Sequence, residues 1–327
     1  MASGEGADFD IPFQKKITSV KNFKEVKSIR KILDAEDFDT VILNTSLAAF
    51  FIRLAMHRHK RPTVVNLVHG YLFPLRTSRL RARFKRRLLL TAEKLLRGKT
   101  DKIVTMNKED TEIALKYRLA PSVIECRGMG IMPDEAPRDR EALRRELGMD
   151  GKQIILFVGE LSARKNQTFL IELMPSIRAE FPNAELWLIG DGDRYGEQRA
   201  LVASLGLEDC VFHLGRREDA RNFAAACDLY ISASHIEGLP FNIVEALMLG
   251  APTVASDVKG HRDILADGAG ILFAPGDKSD ALNKIIPILK GDANISKKAC
   301  DAAVIRYRFS EVFTDTLDKI TTENERK

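Results

Sequence analysis

Short, uninterrupted apolar runs separated by helix-compatible stretches recur along this chain, and no other feature constrains its fold as much. In order they are Thr40–Leu43, Thr63–Val68, Lys102–Thr105, Val123–Glu125, Gln153–Val158, Glu185–Ile189, Cys210–His213, Leu229–Ser232, Pro252–Ala255 and Gly270–Phe273. Runs that are apolar at successive positions belong to parallel strands covered on both faces by helices. Helices are expected between them at Leu47 to His59, Lys108 to Leu119, Asn166 to Glu180, Glu197 to Leu205 and Asp219 to Cys227. Gly128, Gly130, Pro133 and the charged segment Asp134 to Arg145 interrupt the series and predict a crossing between two open α/β sheets. The expected division is residues 1–134, residues 135–309, and a C-terminal helix and tail over 310–327, with Ser310 as N-cap. Two such sheets would bind ligand at the carboxyl ends of their strands, in the cleft between them.

The chain has 327 residues, 45% hydrophobic and 30% charged, which is enough for two separate cores. Its longest apolar-looking stretch, Val41 to Met56, is broken by Asn44, Thr45, Ser46 and Arg53, and falls short of the roughly 20 residues a bilayer span needs. The first residues carry glycine, Asp and Glu where a secretory signal has an apolar stretch, so no leader is expected. Cys126, Cys210, Cys227 and Cys300 are isolated, as for structural thiols in a reducing, cytoplasmic setting.

Charge is shared unevenly. Residues 1–150 hold 30 Lys and Arg against 20 Asp and Glu, a net +10, whereas the remainder holds 21 against 26, a net −5. The excess concentrates between Arg76 and Arg87, where Leu80, Phe84 and Leu88 recur every four residues. Such a basic amphipathic helix, with Arg83, Arg86 and Arg87 on it, suits the anionic inner face of a cell membrane or a phosphorylated acceptor. A solvated helix face with core contacts is the alternative. Few aromatics interleave with the charge and no recognition motif is present, which argues against nucleic acid.

Two carboxylates eight residues apart, Glu237 and Glu245, bracket a Gly238-Leu239-Pro240 turn that opens a helix at Phe241. Free N–H groups and the positive end of the helix dipole make such a turn a cradle for a diphosphate. Glu237 can accept hydrogen bonds from sugar hydroxyls, and Glu245, about one turn into the helix, can reach a ribose. Alternatively, Glu237 is a solvated loop residue and Glu245 a partner of the helix dipole. Arg164 and Lys165 follow another strand and can neutralise a leaving diphosphate, or be solvated loop cations. Gly190 and Gly192 follow a third strand, but Tyr195 stands where a dinucleotide fingerprint needs its third glycine. Asp191 and Asp193 could hold a metal–diphosphate unit, although the cradle at Glu237 to Asn242 makes that unnecessary.

Gly159-Glu-Leu-Ser-Ala-Arg-Lys-Asn166, Gly190-Asp-Gly192, Phe212-His-Leu-Gly215, Glu237-Gly-Leu-Pro-Phe-Asn-Ile-Val-Glu245 and Gly268-Ala-Gly270 resemble, in this order, the retaining glycosyltransferases of family 4. Val68-His69-Gly70-Tyr71, Lys102 to Asp110 and Arg127 to Ile131 look like their capsule- and exopolysaccharide-building members. The resemblance covers roughly residues 15 to 290. It implies the GT-B fold, two Rossmann-like doubly wound parallel-sheet domains facing a cleft. It also implies transfer of a hexose or N-acetylhexosamine, with retention, from a nucleoside diphosphate donor expected to be UDP-linked. The acceptor would be lipid-linked or a saccharide, and no metal or other cofactor would be required. By the same resemblance Glu237, Lys165 and His69 are catalytic. Glu245, Gly238, Leu239, Pro240, Phe241, Arg164, Gly190, Gly192 and Arg216 hold the donor. Glu160 stands where many members have Arg. Members also begin with a strand and glycine-rich loop that this chain is expected to start beyond, leaving a sheet edge for a protein partner. A partner-dependent, non-catalytic donor-binding subunit and a sugar-nucleotide epimerase are the rival functions.

Overall fold

In the computed structural model the described residues are 9, 11–14, 19–58, 61–73, 80–132, 139–292 and 295–324. Arg76, Arg79, His59 and most of the expected crossing, Pro133 to Arg138, lie outside them. The chain forms two units, Met1–Gly128 with Asp318–Lys327, and Met129–Leu317.

The first unit runs α1 (Val20–Ala35), β1 (Thr40–Leu43), α2 (Ser46–Ala55), β2 (Thr63–Val68), α3 (Leu80–Leu96), β3 (Lys102–Thr105), α4 (Lys108–Lys116) and β4 (Ser122–Glu125). Its four strands are parallel and lie in chain order, β1-β2-β3-β4. Thr45 and Asn107 cap α2 and α4 by accepting from the backbone N–H three residues on, which satisfies donors the helix itself cannot. α4 stops at Lys116, short of the expected Leu119, because Arg118 takes a left-handed conformation. Ile103, Ile113, Ala114 and Leu119 form the core between sheet and α4, and Ile29, Phe51 and Ala55 join α1 to α2.

The second unit continues with α5 (Arg140–Glu146), β5 (Gln153–Val158), α6 (Gln167–Glu180), β6 (Ala184–Ile189), α7 (Tyr195–Ser204), β7 (Val211–Gly215), α8 (Ala220–Ala226), β8 (Leu229–Ser232), α9 (Phe241–Met248), β9 (Thr253–Ser256), α10 (His261–Leu265), β10 (Ile271–Phe273), α11 (Lys278–Lys290), α12 (Lys297–Arg306) and α13 (Phe309–Asn324). α13 ends within the residues that group with the first unit. The sheet order is β10-β9-β8-β5-β6-β7, all parallel. Every residue of β6 is buried, as two helix-covered faces require. Strand order reverses between β5 and β8, which pair through Ile155 with Leu229 and Leu156 with Tyr230. At such a switch point the connections leave in opposite directions and open a crevice at the strands' carboxyl ends.

Two expectations need correction. Ser310 is no N-cap, since α13 already begins at Phe309, where the chain is held by a bridge between Ile131 and Arg308. The segment after Pro133 is not merely a charged crossing: Asp139 caps α5, and Arg144 of that helix binds Asp228 and the Ala226 carbonyl. On the basic helix, Leu80, Phe84 and Leu88 are 77%, 73% and 62% exposed, which goes against the alternative of core contacts for that stripe.

Candidate functional site

The loops after β5 and β8 meet at the switch point. Asn166, at φ 58° just ahead of α6, donates from Nδ2 to the Ala233 carbonyl at 3.3 Å, and the His235 N–H donates to the Arg164 carbonyl at 2.9 Å. Across this seam the Glu237 carboxylate, only 7% exposed, receives Lys165 Nζ on Oε1 and Arg164 Nη1 on Oε2, each at 2.8 Å. Ser234 Oγ donates to Oε1 at 2.7 Å. Burial pushes the Glu237 carboxyl up, but Lys165 and Arg164 outweigh it with the Lys165 and Ser234 hydrogen bonds, and the net shift is below the ordinary carboxylate range. Glu237 is therefore an ionised, buried carboxylate, not a solvated loop residue, and Lys165 and Arg164 are not solvated loop cations.

Beneath it lies a neutral imidazole. His261 is fully buried and its pKa is pushed down to about 4, chiefly by burial and against the pull of Glu237 and the Ser256 carbonyl. Nδ1 lies 2.8 Å from the Ser256 carbonyl, which fixes the proton there and leaves Nε2 to accept from Ser232 Oγ at 3.3 Å. Ser256 Oγ donates to the Ser234 carbonyl at 2.7 Å. This chain of buried hydroxyls, imidazole and backbone holds the Glu237 loop from below.

The turn above it is shaped by backbone contact. A Cβ on Gly260 would sit 2.5 Å from the Gly238 carbonyl, so only glycine lets the turn before α10 lie against the turn before α9. Leu239 and Pro240 are buried and Phe241 is the first residue of α9, whose N-cap, Pro240, supplies no side-chain cap. The Ile243 N–H bonds the Pro240 carbonyl at 3.1 Å, and the Phe241 and Asn242 amides before it receive no side-chain cap. Gly190 and Gly192 have a comparable cause: a Cβ on either would fall 1.9 Å or 2.2 Å from the carbonyl of Gly159 or Leu161. They let the loop after β6 pack against the loop carrying Arg164 and Lys165, joined by the Leu161 N–H to the Asp191 carbonyl at 2.9 Å.

Glu245 is separate from this ion-paired group. It lines a small cavity of about 30 Å³ with Val158, Tyr230, Arg221 and Asn242, and Asn242 Nδ2 holds the Val158 carbonyl at 2.8 Å. Arg216 is exposed just past β7. Glu160 is mostly exposed and lies 3.9 Å from Arg164 Nη2, so Arg164 stands between two carboxylates. His69 belongs to the first unit, exposed at the carboxyl end of β2, with Nε2 2.6 Å from Asn44 Oδ1 at the end of β1. Among the described residues no three His, Cys, Asp or Glu side chains converge as a metal site would require. Arg83 and Arg87 are exposed on α3, and Arg86 is half-buried. Among the described residues no helix is long and apolar enough to cross a membrane.

Sequence reasoning overlooked Ser234, Asn166, Gly260 and His261. Ser234 and Asn166 each fall within three residues of a chosen one; Ser234 bonds Glu237 within its own loop, whereas the partner of Asn166, the Ala233 carbonyl, lies on the neighbouring loop.

The family profile described as Glycosyl transferases group 1 matches residues 139–304, just over half of the chain. EpsD of Bacillus subtilis (strain 168) is 27% identical over 317 residues, covering 94% of this chain and 82% of EpsD. The Escherichia coli UDP-Gal:alpha-D-GlcNAc-diphosphoundecaprenol alpha-1,3-galactosyltransferase is 25% identical over 299 residues, 88% of this chain and 76% of that protein. Among solved structures, HepE of Anabaena in complex with UDP superposes with a TM-score of 0.68 at 22% identity, over 92% of this chain and 82% of HepE. Sucrose-phosphate synthase of Thermosynechococcus elongatus gives 0.75 at 19% identity, over 97% and 81%.

Proposed function

The chain belongs to the group 1 glycosyl transferases and shares their two-sheet GT-B fold, and from that membership we propose that it transfers a hexose or N-acetylhexosamine from a UDP-linked donor, with retention, to a lipid-linked or saccharide acceptor in surface polysaccharide biosynthesis. The observation that carries this reading is the Glu237 carboxylate, buried at the sheet's switch point and clasped by Lys165 and Arg164 at 2.8 Å.

In this reading the donor diphosphate lies against the uncapped start of α9, with Lys165 and Arg164 beside it. As the glycosidic bond breaks, negative charge grows on the diphosphate and positive charge on the anomeric carbon. Fixed cations and helix amides meet the first, and Glu237 the second, without reorganising. Glu245 holds the ribose, and His69 is assigned to the reacting carbon on the family resemblance alone. The acceptor hydroxyl attacks from the face the diphosphate leaves, and the departing phosphate takes its proton. Two protein cations already serve the leaving group, so the reaction proceeds without a bound metal, and EDTA leaves its rate unchanged.

The test is turnover of a panel of UDP-sugars with and without saccharide and lipid-linked acceptors, with the anomeric configuration of the product read by NMR. An α-linked product from an α-linked donor bears the reading out; an inverted product overturns the stereochemistry. Nucleotide binding with no turnover for any donor and acceptor pair favours the non-catalytic subunit, for which Glu160 beside Arg164 is the motivating observation. Interconversion of free UDP-sugars favours an epimerase.

A further inference from the structure

The first unit holds a cavity of about 310 Å³ between α1, α2, α3 and the loop after β2, a size at which ligand pockets begin, roughly 300 Å³. Its wall is apolar: Phe23 and Phe50 on one side, Leu72 and Phe73 on another, Leu88 and Ala92 of α3 on a third. The carboxylate on the lining, Glu93, is already taken up by Arg53, whose Nη1 and Nη2 reach it at 2.9 and 3.0 Å. The cavity therefore offers an occupant hydrocarbon contact rather than bare charge.

The exposed stripe on α3 leads into it. Leu80, Phe84 and Leu88 lie four residues apart on one helix face, each neighbour roughly 5–6 Å from the next, and Leu88 belongs both to the stripe and to the cavity wall. Leu72 and Phe23, at the same cavity, are 49% and 48% exposed. Beside the stripe run the exposed cations Arg83 and Arg87, also four apart. An apolar track that ends in an apolar cavity and is edged by cations complements one kind of molecule, a hydrocarbon chain bearing a phosphate.

We propose that this cavity receives the hydrocarbon tail of a phosphate-bearing lipid, with the tail along Leu80, Phe84 and Leu88 and the phosphate against Arg83 and Arg87. The proposal rests on the reading that the acceptor is lipid-linked, and it gives that acceptor a tail site of its own in addition to any bilayer surface. Apolar burial drives the chain in, and the cations select the phosphorylated form.

The experiment titrates the full chain with farnesyl phosphate by isothermal titration calorimetry, with farnesol and inorganic phosphate as separate arms. One farnesyl phosphate is expected to bind per chain, farnesol more weakly and inorganic phosphate not measurably. Ala92→Trp, which fills the cavity, should weaken farnesyl phosphate binding at least about tenfold, because it excludes the chain's methylenes from burial. Leu88→Glu, at a 62% exposed position that folding does not depend on, should weaken it comparably by placing negative charge at the mouth. Unsaturable binding, or equal affinity in both variants and the parent, overturns the proposal. So does a parallel loss of farnesyl phosphate binding and of phosphatidylglycerol-vesicle sedimentation in Ala92→Trp, which would make the cavity part of a bilayer surface only. Transfer to a soluble saccharide acceptor is read in parallel: transfer retained without farnesyl phosphate binding removes the tail site and leaves the proposed function standing.

Discussion

A carboxylate that is 7% exposed and touches two cations keeps its charge because they keep it. Glu237→Gln preserves its volume but leaves Lys165 and Arg164 uncompensated. Transfer should fall by about 10²–10³ in kcat, roughly 2.7–4 kcal/mol, because charge is lost where the anomeric centre turns positive. Titration of UDP against the variant should show affinity kept or increased, since both cations are released toward the diphosphate. Turnover within about threefold of the parent would remove Glu237 from the chemistry. Beneath it, His261 makes a separate prediction. Its folded pKa of about 4 lies below the unfolded value near 6.5, so the unfolded chain binds the extra proton between those limits. Its contribution is full above pH 6.5 and drains away as pH falls toward 4, by about 3 kcal/mol at most. His261→Asn, which does not titrate, should flatten the urea midpoint over that window; an unchanged slope would assign the acid sensitivity elsewhere.

Elements explain what the sequence could and could not convey. The strands of the second unit were legible because a buried parallel strand is apolar at nearly every position, as β6 is apart from Glu185, whose carboxylate pairs with Lys152. The Glu237 turn was legible because Gly238 and Pro240 punctuate the entry to α9. α1 was missed although Val20, Phe23, Val26, Ile29 and Leu33 carry helical spacing; Ile29 is buried and Val26 and Leu33 pack half-buried against its cluster, while Val20 and Phe23 stay exposed, so the apolar face is only partly covered. The polar layer under Glu237 was not legible, because Ser232, Ser234, Ser256 and His261 are brought together only by the pairing of β8 with β9. The same tertiary cause makes Gly190 informative. Its φ of 140° and the 1.9 Å approach of the Gly159 carbonyl leave no room for a methyl group. Gly190→Ala should destabilise the second unit by about 1–3 kcal/mol through backbone strain and weaken UDP binding with it, since the displaced loop carries Arg164 and Lys165. Thermal melting with and without UDP checks both; an unshifted Tm would mean that the two loops separate freely.

Over the whole molecule, charge and apolar exposure are distributed unevenly along the chain. Residues 1–150 are net +10 and the rest net −5, and the exposed leucines and phenylalanine of α3 sit among cations of the basic part. Helix packing does not account for that stripe, since Leu80, Phe84 and Leu88 remain largely uncovered. An anionic bilayer surface would cover the apolar residues and attract the arginines, each worth about 1 kcal/mol near the leaflet and screened by salt. Replacing Arg83, Arg86 and Arg87 together with Gln should therefore release the protein from phosphatidylglycerol vesicles at low salt. It should lower transfer to a lipid-linked acceptor while leaving donor affinity and transfer to a soluble saccharide unchanged, because the proposed function assigns those to Glu237, Lys165 and Arg164. Sedimentation at rising ionic strength should reproduce in the parent what the triple substitution does at low salt. Equal sedimentation of parent and variant would mean that the cations are only solvated and that the stripe is covered by something other than a charged membrane.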